Sequence, residues 1–104
     1  MKMGRKALEV GEASQAASIV FLQLKLDRGI SERAIQRGTG IAGKSRVQGL
    51  LDGTAVWTLD DVVLFTKFFN ISLKVTFKEI EKEIHRLTSE KNFPYPFIED
   101  SQVG

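Results

Sequence analysis

Between Gly29 and Gly53 the chain reads GISERAIQRGTGIAGKSRVQGLLDG, and this stretch restricts the available folds more than any other. It holds two short helical patterns joined by a glycine turn. Ser31 is an N-cap by residue type, and the residues after it place Ala34 and Ile35 on one face, with Glu32, Arg33, Gln36 and Arg37 on the others. That is about two turns of helix. Gly38, Thr39 and Gly40 are expected to break it, because glycine adopts the positive φ of a sharp turn at little cost. Ile41 is the apolar plug of the turn. A second helix is expected from near Gly43, carrying Val47, Leu50 and Leu51 at i, i+3 and i+4, with Gly53 at the C′ stop.

The outward face of the second helix is Lys44, Ser45, Arg46, Gln48 and Gly49. Cations, a hydroxyl and an amide without a carboxylate match phosphate oxygens and the acceptor-rich edge of guanine, and such a helix fits a DNA major groove. An ordinary solvated helix face has the same composition. The turn is what separates the two readings.

In order and spacing, the Arg28-Gly29-Ile30-Ser31 approach, the Thr39-Gly40-Ile41 turn, the Gly43-Lys44-Ser45 helix start, the Val47 and Leu50-Leu51 core face and the Asp52-Gly53 exit resemble the lambda-repressor-like, or Cro/CI-type (XRE), helix-turn-helix family. The resemblance runs from about Phe21 to Leu73, and Leu59–Ile71 looks like the family's next helix. It implies a mainly α, compact five-helix domain. It also implies a sequence-specific regulator of double-stranded DNA, a phage-type repressor or Cro-like protein working as a homodimer on a palindromic operator, non-enzymatic and without a cofactor. Carried over by position, Lys44, Ser45, Arg46 and Gln48 read bases, while Arg33, Arg37 and the Thr54 loop contact phosphates. The chain departs from the family pattern at Glu32, Gln36 and Ala42, the last being one extra residue in the turn. Gly49 inside the second helix costs roughly 1 kcal/mol against Ala.

Two other readings use the same chain. Residues 38–45, GTGIAGKS, match the P-loop form G-x-x-x-x-G-K-[ST] letter for letter. A P-loop leaves a buried strand, whereas Ser31–Arg37 is polar and helix-patterned, and a nucleotide-hydrolysing α/β domain needs several parallel strands. The other keeps the helical fold and makes it an antitoxin-like interaction module, with a protein partner on the C-terminal tail.

The remaining segments frame this motif. Residues 1–12 read as a flexible basic arm with Lys2, Arg5 and Lys6, or as a frayed terminus. Residues 13–73 form the helix-turn-helix domain, and 74–104 a C-terminal helix and tail for dimerisation. Val20, Leu22, Leu24 and Leu26 alternate like a strand, while Ala17, Phe21, Leu24 and Arg28 follow a helical row. The Ala-rich lead-in favours helix, with Phe21 and Leu24 facing the core. Val20, Leu22 and Leu26 then want another cover, such as a partner subunit.

Thr58-Leu59-Asp60-Asp61 has the form of a capping box, with Trp57 and Val62 as its hydrophobic staple. The helix it opens is apolar on most sides and should be central, ending near Asn70. Ile71–Phe77 alternates and reads as a short strand or as a loop. Thr76-Phe77-Lys78-Glu79 is a second capping-box pattern, which places the last helix start at Phe77. That helix carries Phe77, Ile80, Ile84 and Leu87 on one stripe, for its own core or a dimer seam. In Asn92-Phe93-Pro94-Tyr95-Pro96-Phe97 the prolines forbid helix and the aromatics resist exposure, so the tail is expected to dock in a groove, its own or a neighbour's.

Charge and composition add limits. Residues 1–53 carry nine Lys or Arg against five acids, and residues 54–104 six against eight, so the basic half contains the motif. With 104 residues the chain is one domain. The absence of cysteine removes disulfides and thiolate metal sites, and no run approaches the ~20 apolar residues of a membrane span. A cytoplasmic location is expected. His85, the single histidine, has no second His or Cys for a metal and reads as a solvated side chain.

Overall fold

The apolar run that reads equally as strand or helix resolves as helix, because Ser14, Ala17, Ser18 and Phe21 line up one face and all four are buried. This helix, α1 (Glu12–Arg28), is followed by α2 (Glu32–Thr39), α3 (Lys44–Asp52), α4 (Leu59–Phe69) and α5 (Leu73–Glu90). The computed structural model describes residues 10–90, and among them there is no strand. The expected basic arm with Lys2, Arg5 and Lys6, and the expected docked tail, lie outside the described residues. Glu12, assigned to the arm by sequence, instead opens α1, where its carboxylate accepts from Thr88 Oγ1 at 3.1 Å.

Local sequence sets most helix ends. Ser31 Oγ accepts from the Ala34 amide at 3.1 Å and caps α2. Thr58 and Asp61 form the expected capping box of α4: the Asp61 amide donates to Thr58 Oγ1 at 3.1 Å and the Thr58 amide to Asp61 Oδ2 at 2.8 Å. The same helix stops at Asn70, whose φ of 57° is left-handed. Arg28 closes that end from α1, donating to the Phe69 carbonyl at 2.5 Å with its guanidinium over the Phe69 ring.

Two expectations fail. Residues 71–77 form no strand: Ile71 and Ser72 are a short loop, and the last helix begins at Leu73, four residues before Phe77. Ser72 caps it, its hydroxyl accepting from the Val75 amide at 2.9 Å, and the competing Thr76 is buried with its hydroxyl turned back to the Ser72 carbonyl. Gly38 does not break α2 but lies within it. Its missing Cβ leaves the space occupied by the Phe68 ring of α4, so this glycine serves close approach. The turn proper is Gly40–Gly43. At Gly43 φ is 90°, a conformation in which any side chain is strained.

The core is an aromatic column. Phe21 of α1 stacks on Trp57 at 5.1 Å between centroids and packs against Phe65 at 5.1 Å and Phe69 at 6.0 Å, and Trp57 meets Phe65 edge-on at 4.7 Å. Ile35 of α2, and Val47, Leu50 and Leu51 of α3, fill the side facing the turn, while Ile80 brings in α5. Phe21 is thus fully buried as expected, and Leu24 is half-buried at the edge. The surplus apolar residues of α1 divide: Val20 packs on the core, while Leu22 and Leu26 stay 36% and 60% exposed. Helix α5 runs antiparallel to α1, its end meeting Glu12 while Val75 and Thr76 share a groove with Gln23 and Asp27.

Trp57 is held by polar groups as well as by stacking. Its backbone amide donates to Ser14 Oγ at 2.8 Å, and its indole N–H lies 2.9 Å from Ser18 Oγ and 3.0 Å from the Leu50 carbonyl. Ser18 Oγ is itself 2.6 Å from that carbonyl, one of the last four of α3, which have no partner within their helix. Two buried serines of α1 therefore tie the end of α3 to the loop before α4. Replacing Ser14 by Ala strands a buried amide and is expected to lower stability by about 1–3 kcal/mol. Replacing the exposed Ser45 should change it by less than about 0.5 kcal/mol. Urea denaturation of both variants checks the contrast.

Candidate nucleic-acid interface

Helix α3 buries Val47, Leu50 and Leu51, so the opposite side of the helix turns outward with Ser45 and Gln48 exposed. Only the backbone of Lys44, as the first residue of α3, is described. Asp52 is exposed at the far end of the helix. Its carboxylate is occupied: Thr54 donates to Asp52 Oδ1 from its hydroxyl at 2.7 Å and from its amide at 3.2 Å.

Arg46 departs from the outward strip. It is half-buried on the flank facing α4, donating to Asp61 Oδ2 at 2.5 Å and to the Val56 carbonyl at 3.3 Å. The Asp61 carboxylate thus serves two places together: the capped start of its own helix, α4, and the side of α3. With side-chain exposures of 37% for Arg46 and 9% for Asp61, the pair sits at the edge of solvent. Arg46, placed by sequence among the base readers, therefore acts here as a brace between α3 and α4. The signal that would have found it, an Asp fifteen residues on at the start of the next helix, is a long-range one.

The α3–α4 loop is packed back on the helix it leaves. The Gly49 carbonyl accepts from the amides of Gly53, Thr54 and Ala55 at 3.1, 3.0 and 3.1 Å. A Cβ on Gly49 would lie 3.1 Å from the Ala55 Cβ and 3.3 Å from Thr54 Oγ1, so the bare Cα is what lets the loop come this close. The glycine that costs helix propensity supplies this packing. Thr54, read as a phosphate contact, has its amide and hydroxyl engaged by Gly49 and Asp52.

On α2, Arg33 and Arg37 are exposed and one turn apart, with no hydrogen bond or ion pair to another described residue. At the end of α2, Thr39 is buried. Its hydroxyl donates to the Ile35 carbonyl at 2.7 Å and accepts from the Ile41 amide at 3.3 Å, which fixes the direction of the turn. Ile41 is half-buried against the core, as a plug would be. The segment GTGIAGKS is thus the end of α2, the turn and the start of α3, and what precedes it is helix.

His85 is exposed on α5. No helix among the described residues is long and apolar enough to cross a membrane. No family model, curated protein or solved structure matches this chain.

The brace has a measurable consequence. In a double-mutant cycle of Arg46→Gln and Asp61→Asn followed by urea denaturation, a coupling of about 1 kcal/mol is expected, given the partial exposure of the pair. Strict additivity would show that the contact does not hold α3.

Proposed function

We propose that the chain is a sequence-specific double-stranded DNA-binding regulator of lambda-repressor-like type, working as a homodimer in the cytoplasm. The observation that carries this reading is the α2–turn–α3 unit. Two short helices are joined by the four residues Gly40–Gly43, and the second is anchored on one side while Ser45 and Gln48 stay exposed on the other. A helix that is to read base edges must be held rigidly along its inner side and carry hydrogen-bonding groups outside. Here the inner anchor is Val47, Leu50 and Leu51, and the lateral brace is Arg46.

In this reading α3 enters the major groove with Lys44, Ser45 and Gln48 toward the bases. The amide of Gln48 has the bidentate geometry that suits adenine, and the ammonium of Lys44 suits guanine O6 and N7. Arg33 and Arg37 on α2 contact the phosphate backbone, which fixes register without sequence preference. Arg46 orients the helix and Thr54 shapes the loop. One short helix reads only a few base pairs, so selectivity calls for two copies spaced about 34 Å apart on a palindrome. Occupying such a site within a promoter represses it. The P-loop alternative has less support, because a helix stands where its strand should be.

Selection of binding sites from a random duplex library, repeated at two salt concentrations, tests the proposal. An enriched palindrome with steep salt dependence is expected, and no enrichment by folded protein would refute it. Among variants, Gln48→Ala and Lys44→Ala should each cost about 1–3 kcal/mol at particular base pairs. Arg37→Ala should weaken all sequences alike and reduce the salt slope by about 1.

A further inference from the structure

Beside the start of α4 lies a groove lined by Ala13 and Ala17 of α1, Leu59 and Val62 of α4, and Phe77 and Ile80 of α5, with no charged side chain in its lining. Its rim holds the largest exposed apolar groups of this face, since Leu59 is 65% and Phe77 42% exposed. We propose that the chain's own segment Phe93–Phe97 folds back along α5 and seats its aromatic side chains in this groove. The inference does not depend on DNA binding.

The place where α5 ends supports this occupant. Thr88 is bonded to Glu12, so the chain leaves α5 next to Ala13, at one end of the groove. From Glu90 back to Phe77 the helix rises about 20 Å, and from Glu90 forward to Phe97 a polyproline-like chain advances about 22 Å. By the same measures Tyr95 comes level with Ile80 and Phe93 with Ile84, both about 15 Å and 9 Å from the helix end respectively. Aromatic residues at every second position, with proline between them, give a stiff extended chain that presents a ring about every 6 Å without needing helix or sheet.

Two other grooves fit this segment less well. The one between α1 and α5 lies toward the start of α5 and is rimmed by Asp27, Glu79 and Glu83, which would oppose the Glu99-Asp100 that follows the aromatics. The one beside the end of α3 has Asp52 in its lining, which would likewise oppose that acidic pair. Among these grooves, the one at Leu59 is near the chain exit and uncharged as well.

Because the chain has no cysteine, Ile98→Cys gives a single attachment point for a nitroxide in the full-length protein. With label and nitrogen-15 in the same molecule, the amide signals of Leu59 and Phe77 should be lost while those of Ser45 and Gln48 persist. Reduction of the nitroxide should restore them. In a mixture of nitroxide-bearing unlabelled chains with nitrogen-15 chains lacking the nitroxide, the Leu59 and Phe77 signals should remain. Retention in the first sample overturns the proposal, and so does loss in the mixture, which would place the segment in the groove of a second copy.

Discussion

The hold on Trp57 is the constraint from which the rest of the arrangement follows. Its ring lies between Phe21 of α1 and Phe65 of α4, and its two N–H groups reach Ser14, Ser18 and the Leu50 carbonyl. Aromatic contacts of this kind contribute roughly 0.5–1.5 kcal/mol beyond burial, but they are tolerant of sliding. The buried hydrogen bonds are not, since losing one leaves a desolvated donor or acceptor without a partner. Stacking thus supplies much of the attraction and the serines supply the register. As a result the loop between α3 and α4 is fastened at a single residue to the first helix of the chain.

Orientation of α3 then depends on how its ends are closed. Its last carbonyls are taken by the loop amides at Gly49 and by the α1 hydroxyl and the indole at Leu50, and its flank by Arg46 on Asp61. None of these contacts uses the outward side. Anchoring on the inner side and flank leaves Ser45 and Gln48 exposed and free of structural duty. Arg46 shows how the division is enforced: a cation that composition alone would place among the recognition residues is drawn sideways by a carboxylate.

What was legible in the sequence, and what was not, follows the range of the interactions. Ser31 and the Thr58–Asp61 box act within three or four residues, so their roles could be read directly, and the Val47–Leu50–Leu51 stripe follows from helical period. The alternation of Ile71, Leu73, Val75 and Phe77 misled because the residue most deeply buried in the first turn of α5 is Thr76, while Leu73, Val75 and Phe77 remain substantially exposed. Polarity was a poor guide where a threonine hydroxyl could be satisfied by its own helix. Ser14 and Ser18 lay on the legible core face of α1, but their partners stand 43 and 39 residues away at Trp57, beyond any local pattern. The brace of Arg46 was hidden for the same reason.

Trp57 is the only tryptophan in the chain, and it is 9% exposed at the junction of α1, α3 and α4. The tryptophan emission of this protein therefore comes from one joint of the fold. Fraying at the start of α2 will leave that emission unchanged, whereas any motion that separates the α3 terminus from α1 must alter both the packing and the hydrogen bonding of the fluorophore. The molecule thus carries an intrinsic optical reporter for the seating of α3.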